Sequence, residues 1–396
     1  MRLSRRCSAA AFLLLIPLAA PAFAAEPSPE PRRSAPAPLH TTTAPVPDQY
    51  IVTLSPDSVS AQVTQRVGVT PLFSYEKALR GFAARLDASQ LATVRDLPEV
   101  QAVEQDAVVS VAPLPAGEPS PRVPASSWGL DRIDQPHLPL DNQFNVNSTG
   151  SGVTAFILDS GIDYRHSEFG GRAVPGFDAI RDGRNGQDCH GHGTHVAGTV
   201  GGANHGVARA ATLVSVRVLD CQGRGSNAGV IAGLDWVARN ARQPAILNAS
   251  LGGPRSFAVN YAATALSDSG VLPVVAAGND GADACGVSPA SADRVVTVGA
   301  TNMRDQETDF SNFGPCLWIY APGAAIVSAR LGGGSVALNG TSMASPHVAG
   351  VAVLFKGRHP SAAPGDIAGW LADQSVKGVL MVSEGSPNRL VQTGGL

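Results

Sequence analysis

Four polar side chains of this sequence could together activate a hydroxyl group for attack on a carbonyl carbon. They are a carboxylate, an imidazole, a side-chain amide and a hydroxyl, from Asp159, His192, Asn279 and Ser342. A serine hydroxyl is a poor nucleophile until a base within hydrogen-bonding reach takes its proton, and an imidazole is such a base. The amide can donate to the oxygen that becomes negatively charged. These residue types therefore indicate nucleophilic catalysis, provided that the fold brings them together.

Apolar segments that alternate with Gly- and Ala-rich segments must position these groups. The apolar runs predict strands at 153–158, 213–219, 245–250, 271–276 and 295–298. Helical patterns cover about 192–201, 226–241, 257–269, 342–358 and 364–373. Continuous apolar strands between helices predict an α/β fold, whose parallel β-sheet is covered by helices on both faces. Sites in such sheets lie at the carboxyl ends of the strands, which is where Asp159 and Asn279 occur.

The N-terminus has the pattern of a secretory signal peptide. Arginines at positions 2, 5 and 6 precede a short apolar run that ends in small residues at 22–25. We therefore predict a signal peptide at 1–25 and a secreted protein, extracellular or in transit through a periplasm. Cys7 leaves with the signal, and four cysteines in an oxidising compartment predict two disulfides. The four are Cys189, Cys221, Cys285 and Cys316, which allow three pairings.

Proline-rich stretches divide the rest of the chain into two domains. We predict a linker at 26–47, a small α+β domain at 48–112, a second linker at 113–122 and a large domain at 123–396. Within the small domain, the pattern predicts strands at 50–54 and 81–86, and helices at 58–67 and 88–97. It also predicts a pair of strands within 100–111. The four chemistry-bearing residues all lie in the large domain.

The composition argues against nucleic-acid and membrane partners. Only 15% of the residues are charged and the formal net charge is −3, so no basic surface is expected for phosphates or anionic lipids. No stretch after the signal peptide is long and apolar enough to span a membrane. We expect no nucleic-acid partner, and no membrane association once the signal peptide has been removed.

Three motifs in the order Asp, His, Ser resemble the secreted subtilisin-type serine proteases, the subtilases, and in particular the branch that contains proteinase K. The motifs are Asp159-Ser160-Gly161, Gly191-His192-Gly193-Thr194-His195-Val196-Ala197-Gly198 and Gly340-Thr341-Ser342-Met343-Ala344-Ser345-Pro346-His347. Subtilisin has the same order of catalytic residues along its chain. The resemblance extends from about Asp48 to the C-terminus.

The resemblance implies a serine endopeptidase that hydrolyses peptide bonds through an acyl-enzyme. Ser342 would attack, His192 would act as base and then as acid, and Asp159 would orient the imidazole. Asn279 and the Ser342 N–H would stabilise the oxyanion. The domain at 48–112 would be a propeptide that assists folding, inhibits the site and is removed by self-cleavage near 122–126. The expected partners are protein and peptide substrates and the chain's own propeptide, and we expect a monomer.

The resemblance also implies how substrates bind. The edge Gly223-Arg224-Gly225 would pair with the substrate backbone. Small and apolar residues would wall the pocket for an apolar or aromatic side chain before the scissile bond. These are Ser250, Leu251, Gly252, Ala276, Ala277 and Gly278. Arg224 differs from the small polar residue that is frequent there, and we expect it to favour an acidic residue further from the bond.

Family members pair cysteines at matching positions and use calcium to hold surface loops. The pairings implied are Cys189–Cys221 and Cys285–Cys316. Calcium prefers six to eight oxygen ligands, several of them carboxylates. A cluster near the start of the large domain matches a calcium site of some relatives, so we expect structural calcium there and no catalytic metal. The cluster consists of Asp131, Asp134, Gln135, Asp141 and Gln143.

Two alternatives have some support in the residues. His190, His192 and His195 lie within six positions and approach a zinc-binding pattern, which would indicate a metallohydrolase. The chain could also be an inactive subtilase-fold binding protein. The presence of all four chemistry-bearing residues favours the protease.

Overall fold

A computed structural model describes residues 35–111 and 127–396. The predicted signal peptide, residues 26–34 of the first predicted linker and the second predicted linker at 113–122 lie outside the described residues. The small N-terminal domain contains five strands and two helices. In chain order they are β1 (Leu39–His40), β2 (Pro45–Leu54), α1 (Ser60–Val67), β3 (Phe73–Tyr75), β4 (Gly81–Arg85), α2 (Ala88–Asp96) and β5 (Val100–Ser110).

The N-terminal domain is an α+β unit whose sheet has the order β1-β5-β2-β4-β3. Two details differ from the sequence-based expectation. The predicted linker at 26–47 already contains β1, in which Leu39 pairs with Val103, and the start of β2 at Pro45. Proline is tolerated as the first residue of a strand, where its missing N–H costs little. The predicted strand pair at 100–111 is one continuous strand, because no Gly or Pro interrupts it.

The large domain is built on a nine-stranded sheet. Its elements are α3 (Trp128–Asp134), β6 (Thr154–Asp159), β7 (Ala173–Asp178), α4 (His192–Gly201), β8 (Thr212–Arg217), β9 (Arg224–Ser226), α5 (Asn227–Asn240), β10 (Ala245–Ala249), β11 (Gly253–Pro254), α6 (Phe257–Asp268), β12 (Leu272–Ala276), β13 (Val287–Ser288), β14 (Val296–Thr301), β15 (Ile319–Pro322), β16 (Ile326–Ala329), β17 (Ser335–Leu338), α7 (Thr341–Arg358), α8 (Pro364–Gln374), β18 (Val376–Lys377) and β19 (Arg389–Leu390). The sheet order is β18-β19-β15-β14-β12-β10-β6-β8-β7, and only the β18–β19 pair is antiparallel.

Helices cover both faces of this sheet, as the sequence predicts. Side chains alternate along each buried strand, so Ile157 of β6 packs in the core with α4 and α7, through Val196 and Val348. Its neighbour Leu158 packs on the opposite face, in the core that contains Val230 of α5. The carboxyl ends of β6, β10 and β12 therefore meet at one edge, and the segments that follow them converge there.

Two disulfides join loops at this edge and beside it. Cys189 is bonded to Cys221, with Cα atoms 4.9 Å apart, and Cys285 to Cys316, with Cα atoms 5.3 Å apart. These are the pairings that the family resemblance implies. None of the helices described here is long and apolar enough to cross a bilayer.

Candidate active site

Asp159 at the end of β6 and His192 at the start of α4 form a buried hydrogen-bonded pair. His192 Nδ1 lies 2.8 Å and 3.0 Å from the two carboxylate oxygens of Asp159. The backbone N–H of Ser160 donates to the same carboxylate at 2.7 Å, which fixes its orientation. His192 Nε2 is buried and has no hydrogen-bond partner among the described residues. The ring is therefore held through one nitrogen and leaves the other available for a proton.

The loop before α4 fixes the position of His192. The carboxylate of Asp188 accepts from the N–H groups of residues 190, 191 and 194 at 2.9 to 3.0 Å, and so satisfies N–H groups that a helix start leaves free. Gly193 lets the helix approach β6, since a Cβ there would lie 2.2 Å from the carbonyl oxygen of Gly161. Asp188 lies outside the motifs that predict the other site residues. An acidic residue just before a predicted helix start is the signal that would have found it.

Ser342 lies in the first turn of α7, next to the end of β10. Its hydroxyl donates to the carbonyl oxygen of Ser250 at 3.1 Å, and the Ser250 hydroxyl donates to the Ser342 carbonyl at 2.9 Å. The Ser342 hydroxyl thus makes no hydrogen bond to His192 in this structure. Catalytic hydrogen bonds are often long or misaligned before substrate binds, and rotation about one side-chain bond redirects the hydroxyl.

Asn279, in the loop after β12, is oriented by the residue before Ser342. Its side-chain oxygen accepts from the N–H and the hydroxyl of Thr341, at 2.8 Å and 2.9 Å. The amide nitrogen is therefore left to donate elsewhere. A Cβ built on Gly340 would lie 3.6 Å from this nitrogen and 3.6 Å from the Ser342 backbone nitrogen. Two donors thus border one small space, and Thr341 is the orienting residue that the sequence did not reveal.

The end of β5 occupies the cleft beside Ser342. Ser110 exchanges two backbone hydrogen bonds with Gly252, at 3.2 Å and 3.4 Å. On its other side β5 pairs antiparallel with β9, with Ser110 opposite Arg224, and Val111 donates its N–H to the Gly223 carbonyl at 3.1 Å. The N-terminal domain therefore places an extended strand between the two segments expected to bind substrate backbone.

The cleft has a volume of about 690 Å³ and mostly small or apolar walls. The residues expected as pocket walls mostly line it, namely Leu251, Gly252, Ala276 and Gly278. Ala277 and Ser250 are not among these lining residues. Ala277 is buried among apolar residues that include Leu317 and Tyr320, and Ser250 is buried with its carbonyl against the Ser342 hydroxyl. Even an alanine at Gly278 would clash, since a Cβ there would lie 2.2 Å from the Asn312 side chain.

The three neighbouring histidines do not form a metal cluster. His195 is buried, and its Nε2 lies 3.0 Å and 3.1 Å from the carbonyl oxygens of Ile326 and Val336. Burial lowers the pKa of His195 to about 3, and burial followed by the neighbouring His192 lowers the pKa of His190. Within 35–111 and 127–396, no group of three potential metal ligands includes these rings. The metallohydrolase alternative thus has no convergent site.

The sequence profiles of two protein families match the two domains of the chain. Residues 150–392 match the Subtilase family, and residues 49–112 match Peptidase inhibitor I9. The chain belongs to the subtilase family. This subtilase is a serine protease with a propeptide inhibitor domain, as the family resemblance implies.

Relatives of this subtilase include serine proteases of two bacteria, one of which is named as extracellular. The chain is 45% identical to alkaline serine exoprotease A of Vibrio alginolyticus, over 80% of this chain and 59% of the relative's length. It is 44% identical to an extracellular serine proteinase of Thermus sp. (strain Rt41A), over 86% of this chain and 82% of the relative. A solved structure of a cold adapted subtilisin-like serine proteinase is 47% identical, with a TM-score of 0.66, and covers 67% of this chain and 97% of that one.

Two carboxylates of the propeptide domain contact helix starts in the protease domain. Glu104 accepts from the hydroxyl of Ser256 and from the N–H groups of residues 257 and 258, at the start of α6. Asp106 accepts from the N–H of Ala228 at 3.0 Å, at the start of α5. Anions are favoured at such helix ends. Burial raises the pKa of Glu104, and burial raises the pKa of Asp106 to about 6.

One carboxylate of the protease domain contacts the propeptide in return. Asp235 of α5 accepts from three consecutive N–H groups of the propeptide turn 76–78, at 2.6 to 3.0 Å. The hydroxyl of Tyr75 donates to the Ala228 carbonyl at 3.0 Å. Polar groups of the two domains thus hydrogen-bond to one another across the interface, in addition to the strand pairing in the cleft.

Carboxylates of α3 and of the following loop are linked through backbone hydrogen bonds, although in the part of the chain that the structure describes no three of them bring ligand oxygens within 4.8 Å of one another. Asp131 accepts from the N–H groups of Asp141 and Asn142, and Asp134 accepts from the N–H of Asn145 at 2.7 Å. Burial, and then repulsion from Asp141, raise the pKa of both Asp131 and Asp134. The second oxygen of Asp134 is buried without a hydrogen-bond partner in the described part of the chain. The chemistry of these donors suits a hard divalent cation such as calcium.

Proposed function

We propose that this subtilase is a secreted endopeptidase of broad specificity, which acts as a monomer on proteins and peptides. The observation that carries the proposal is the hydrogen bond between Nδ1 of buried His192 and the Asp159 carboxylate. The other ring nitrogen, Nε2, is left free of hydrogen bonds among the described residues. Ser342 borders the same cleft. The carboxylate stabilises the positive imidazolium that forms when His192 takes a proton. An imidazole in this position is a general base for the serine hydroxyl.

The reaction would proceed in two halves. Ser342 Oγ transfers its proton to His192 Nε2 and attacks the substrate carbonyl carbon, while Asn279 and the Ser342 N–H donate to the oxyanion. The imidazolium then protonates the leaving amine as the C–N bond breaks, which leaves an acyl-enzyme. A water molecule gives a proton to His192 and attacks the ester carbonyl. His192 then returns that proton to Ser342 Oγ as the ester C–O bond breaks, which releases the acid and restores the free serine. The start of α7 adds the positive end of its helix dipole beside the oxyanion.

Substrate preference should be for an apolar or aromatic residue before the scissile bond. The walls of the cleft offer small apolar surfaces at Leu251, Ala276 and Gly278, and the one charged residue among the described residues that line it, Asp280, is exposed to solvent. Cleavage of a peptide library, read by mass spectrometry, should give a profile dominated by Phe, Tyr, Leu and Met before the cut. A serine-directed reagent should abolish this activity and a chelator of zinc should not. A profile dominated by Lys or Arg contradicts the assigned pocket.

We infer the following boundaries for the zymogen: a signal peptide at 1–25, a propeptide at 48–112 and a protease domain at 123–396. Because Ser110 pairs with Gly252, the residue two positions later is expected to face Ser250 beside Ser342. Self-cleavage of a strand held in this register is therefore expected after residue 112, ahead of the region 122–126 that the sequence indicates. The inhibitory role of the propeptide is supported by β5, which fills the slot between Gly252 and β9. A strand in this slot prevents a substrate strand from binding there. The chain's own protease domain would make the cut, since both domains are present in one chain.

Acid is expected to tighten the contact between the propeptide and the protease domain. Asp106 has a pKa of about 6 in the contact, against an ordinary value of 3.8, so closing the contact takes up a proton. Its contribution is therefore fully present below pH 3.8 and is lost as the pH rises through 6. The raised pKa of Glu104 acts in the same direction. The equilibrium constant for opening should be about ten-fold smaller at pH 5 than at pH 8.

Hydrogen exchange of the β5 and β9 amides tests this pH dependence in the full-length Ser342→Ala chain, which cannot cleave itself. Opening constants are obtained after correction for the pH dependence of intrinsic exchange. The additional change Asp106→Asn should flatten the profile, because the amide does not titrate. Opening that becomes easier as the pH falls from 8 to 5 would contradict the assigned role of Asp106.

We also propose that calcium binds at the end of α3, through oxygens of Asp131, Asp134, Gln135, Asp141 and Gln143. Subtilases commonly bind structural calcium. The proposal is supported by the partnerless Asp134 oxygen and by the mutual repulsion of the carboxylates, which a divalent cation would relieve. Such an ion would hold the loop at 141–145 against α3 and would take no part in the chemistry.

Calcium is expected to raise the thermal stability of the protein through this loop. In calorimetry of the Ser342→Ala chain, millimolar calcium should raise the unfolding temperature by about 5–10 °C relative to a chelator. Adding Asp134→Ala should remove most of this difference. Asp373→Ala, which removes an exposed carboxylate on α8, should retain it. A full calcium response in the Asp134→Ala chain would rule out this site.

A further inference from the structure

Arg224 lies opposite an outward-facing residue of the strand in the cleft. In the antiparallel pairing of β5 with β9, Ser110 is the partner of Arg224. The N–H and C=O of Ser110 are both bonded to Gly252, on the other side of β5. Ser110 and Arg224 are therefore a non-hydrogen-bonded pair, the type in which facing side chains approach most closely. Both side chains are exposed.

The charge of Arg224 is not neutralised by a neighbour. Throughout residues 35–111 and 127–396, no carboxylate forms an ion pair with its guanidinium. The nearby Asp220 uses one oxygen to accept from the backbone N–H groups of Gln222 and Arg224 itself, which closes the turn before β9. The propeptide places a neutral serine opposite Arg224, so the guanidinium faces water beside the strand that occupies the cleft.

The pairing register identifies the substrate position that faces Arg224. A substrate strand bound like β5 has one residue paired with Gly252. Because the strands run in opposite directions, the residue two positions further along the substrate faces Ser250, whose carbonyl oxygen contacts the Ser342 hydroxyl. The residue opposite Gly252 and Arg224 is therefore the third before the scissile bond.

We propose that Arg224 is a specificity-determining residue that favours an acidic side chain at the third substrate position before the scissile bond. This inference rests on the proposed endopeptidase function and on binding of substrate in the register of β5. Opposite charges on directly facing residues of paired strands attract, and like charges there repel. A glutamate at this position gains the attraction, whereas a lysine meets the repulsion. The adjacent Val111 position is buried, so its side chain is turned away from Arg224.

Three fluorogenic peptides that differ only at the third position test the proposal. They carry Glu, Gln or Lys there, with the same aromatic residue before the scissile bond. For the wild-type enzyme, kcat/KM should be about ten-fold higher for the Glu peptide than for the Lys peptide at low salt. The ratio should fall toward one as the salt concentration rises, because salt screens exposed charges.

Two variants of Arg224 test whether its side chain causes the difference in kcat/KM between the Glu and Lys peptides. Arg224→Gln should bring the Glu/Lys ratio close to one, and Arg224→Glu should invert it. Arg358→Gln removes another exposed positive charge, at the far end of α7, and should keep the wild-type ratio. Moving the glutamate to the next substrate position should give rates that do not depend on Arg224.

The possible failures can be told apart. If Glu and Lys peptides are cleaved at equal rates, or if Arg224→Gln leaves the ratio unchanged, the inference about Arg224 is wrong and the endopeptidase function stands. If no peptide is cleaved and the serine-directed reagent does not react, the proposed function itself is wrong.

Discussion

Replacing Ser342 by alanine should lower kcat on the order of 10⁶-fold, the loss known for the corresponding change in subtilisin. The variant lacks the oxygen that attacks the carbonyl carbon, and the remaining oxyanion donors support only a small fraction of the rate. The same change should stop removal of the propeptide, because the proposed cut is made by the chain itself. The purified Ser342→Ala protein should therefore keep its propeptide indefinitely.

Mass spectrometry of the purified protein, together with an assay on a peptide substrate, measures both effects of the Ser342→Ala change. The first residue of each product reports maturation, and a peptide substrate reports activity. Ser335→Ala, which removes an exposed hydroxyl on β17, should mature and act as wild type does. Maturation of Ser342→Ala in the absence of any other protease would show that the cut is not made by this site.

Replacing Asn279 by alanine should lower kcat by about 10²–10³-fold, which is the known cost for the equivalent donor of subtilisin. The amide donates to an oxygen that is charged only in the transition state and the tetrahedral intermediate. KM should therefore stay within about two-fold of wild type. A rise in KM with unchanged kcat would mean that Asn279 binds the ground state and has no oxyanion role.

Thr341→Val separates the donor from the residue that orients it. The variant keeps the backbone N–H that donates to Asn279 but loses the hydroxyl at 2.9 Å from the Asn279 oxygen. We expect a smaller loss, about ten-fold in kcat, because one of two orienting hydrogen bonds remains. Steady-state kinetics on one peptide substrate measures both variants together.

The main elements of the fold could be predicted from the sequence because their apolar periodicity is strong. The helix predicted at 192–201 has those bounds in the structure, and β10 and β12 begin within one residue of the prediction. The short edge elements could not be predicted. Strands such as β9, β16 and β17 have three or four residues each, and they form because partner strands supply their hydrogen bonds.

Some residues of the candidate site could also be predicted from the sequence, and others could not. Asp159, His192, Asn279 and Ser342 could be predicted because each lies in a motif or directly follows a predicted strand. Thr341 could not be predicted, because it orients an amide 62 residues away that only the folded chain brings near. Asp188 is different, because the N–H groups it accepts from lie within six residues of it and an acidic residue before a helix start is a local signal. The hydrogen bond of Ser342 to Ser250 was likewise not foreseen, since it depends on how closely α7 approaches β10.

The slot between Gly252 and β9 determines which states of a target protein can be cut. It accepts one extended strand and hydrogen-bonds to both of its edges, as it does to Ser110 and Val111. The backbone N–H and C=O groups of a residue in a helix, or in the middle of a sheet, are already hydrogen-bonded within the target protein. A folded target must therefore open locally over several residues before it can enter. For a well-folded protein, the cleavage rate should then follow the free energy of that local opening more closely than the residue preceding the cut.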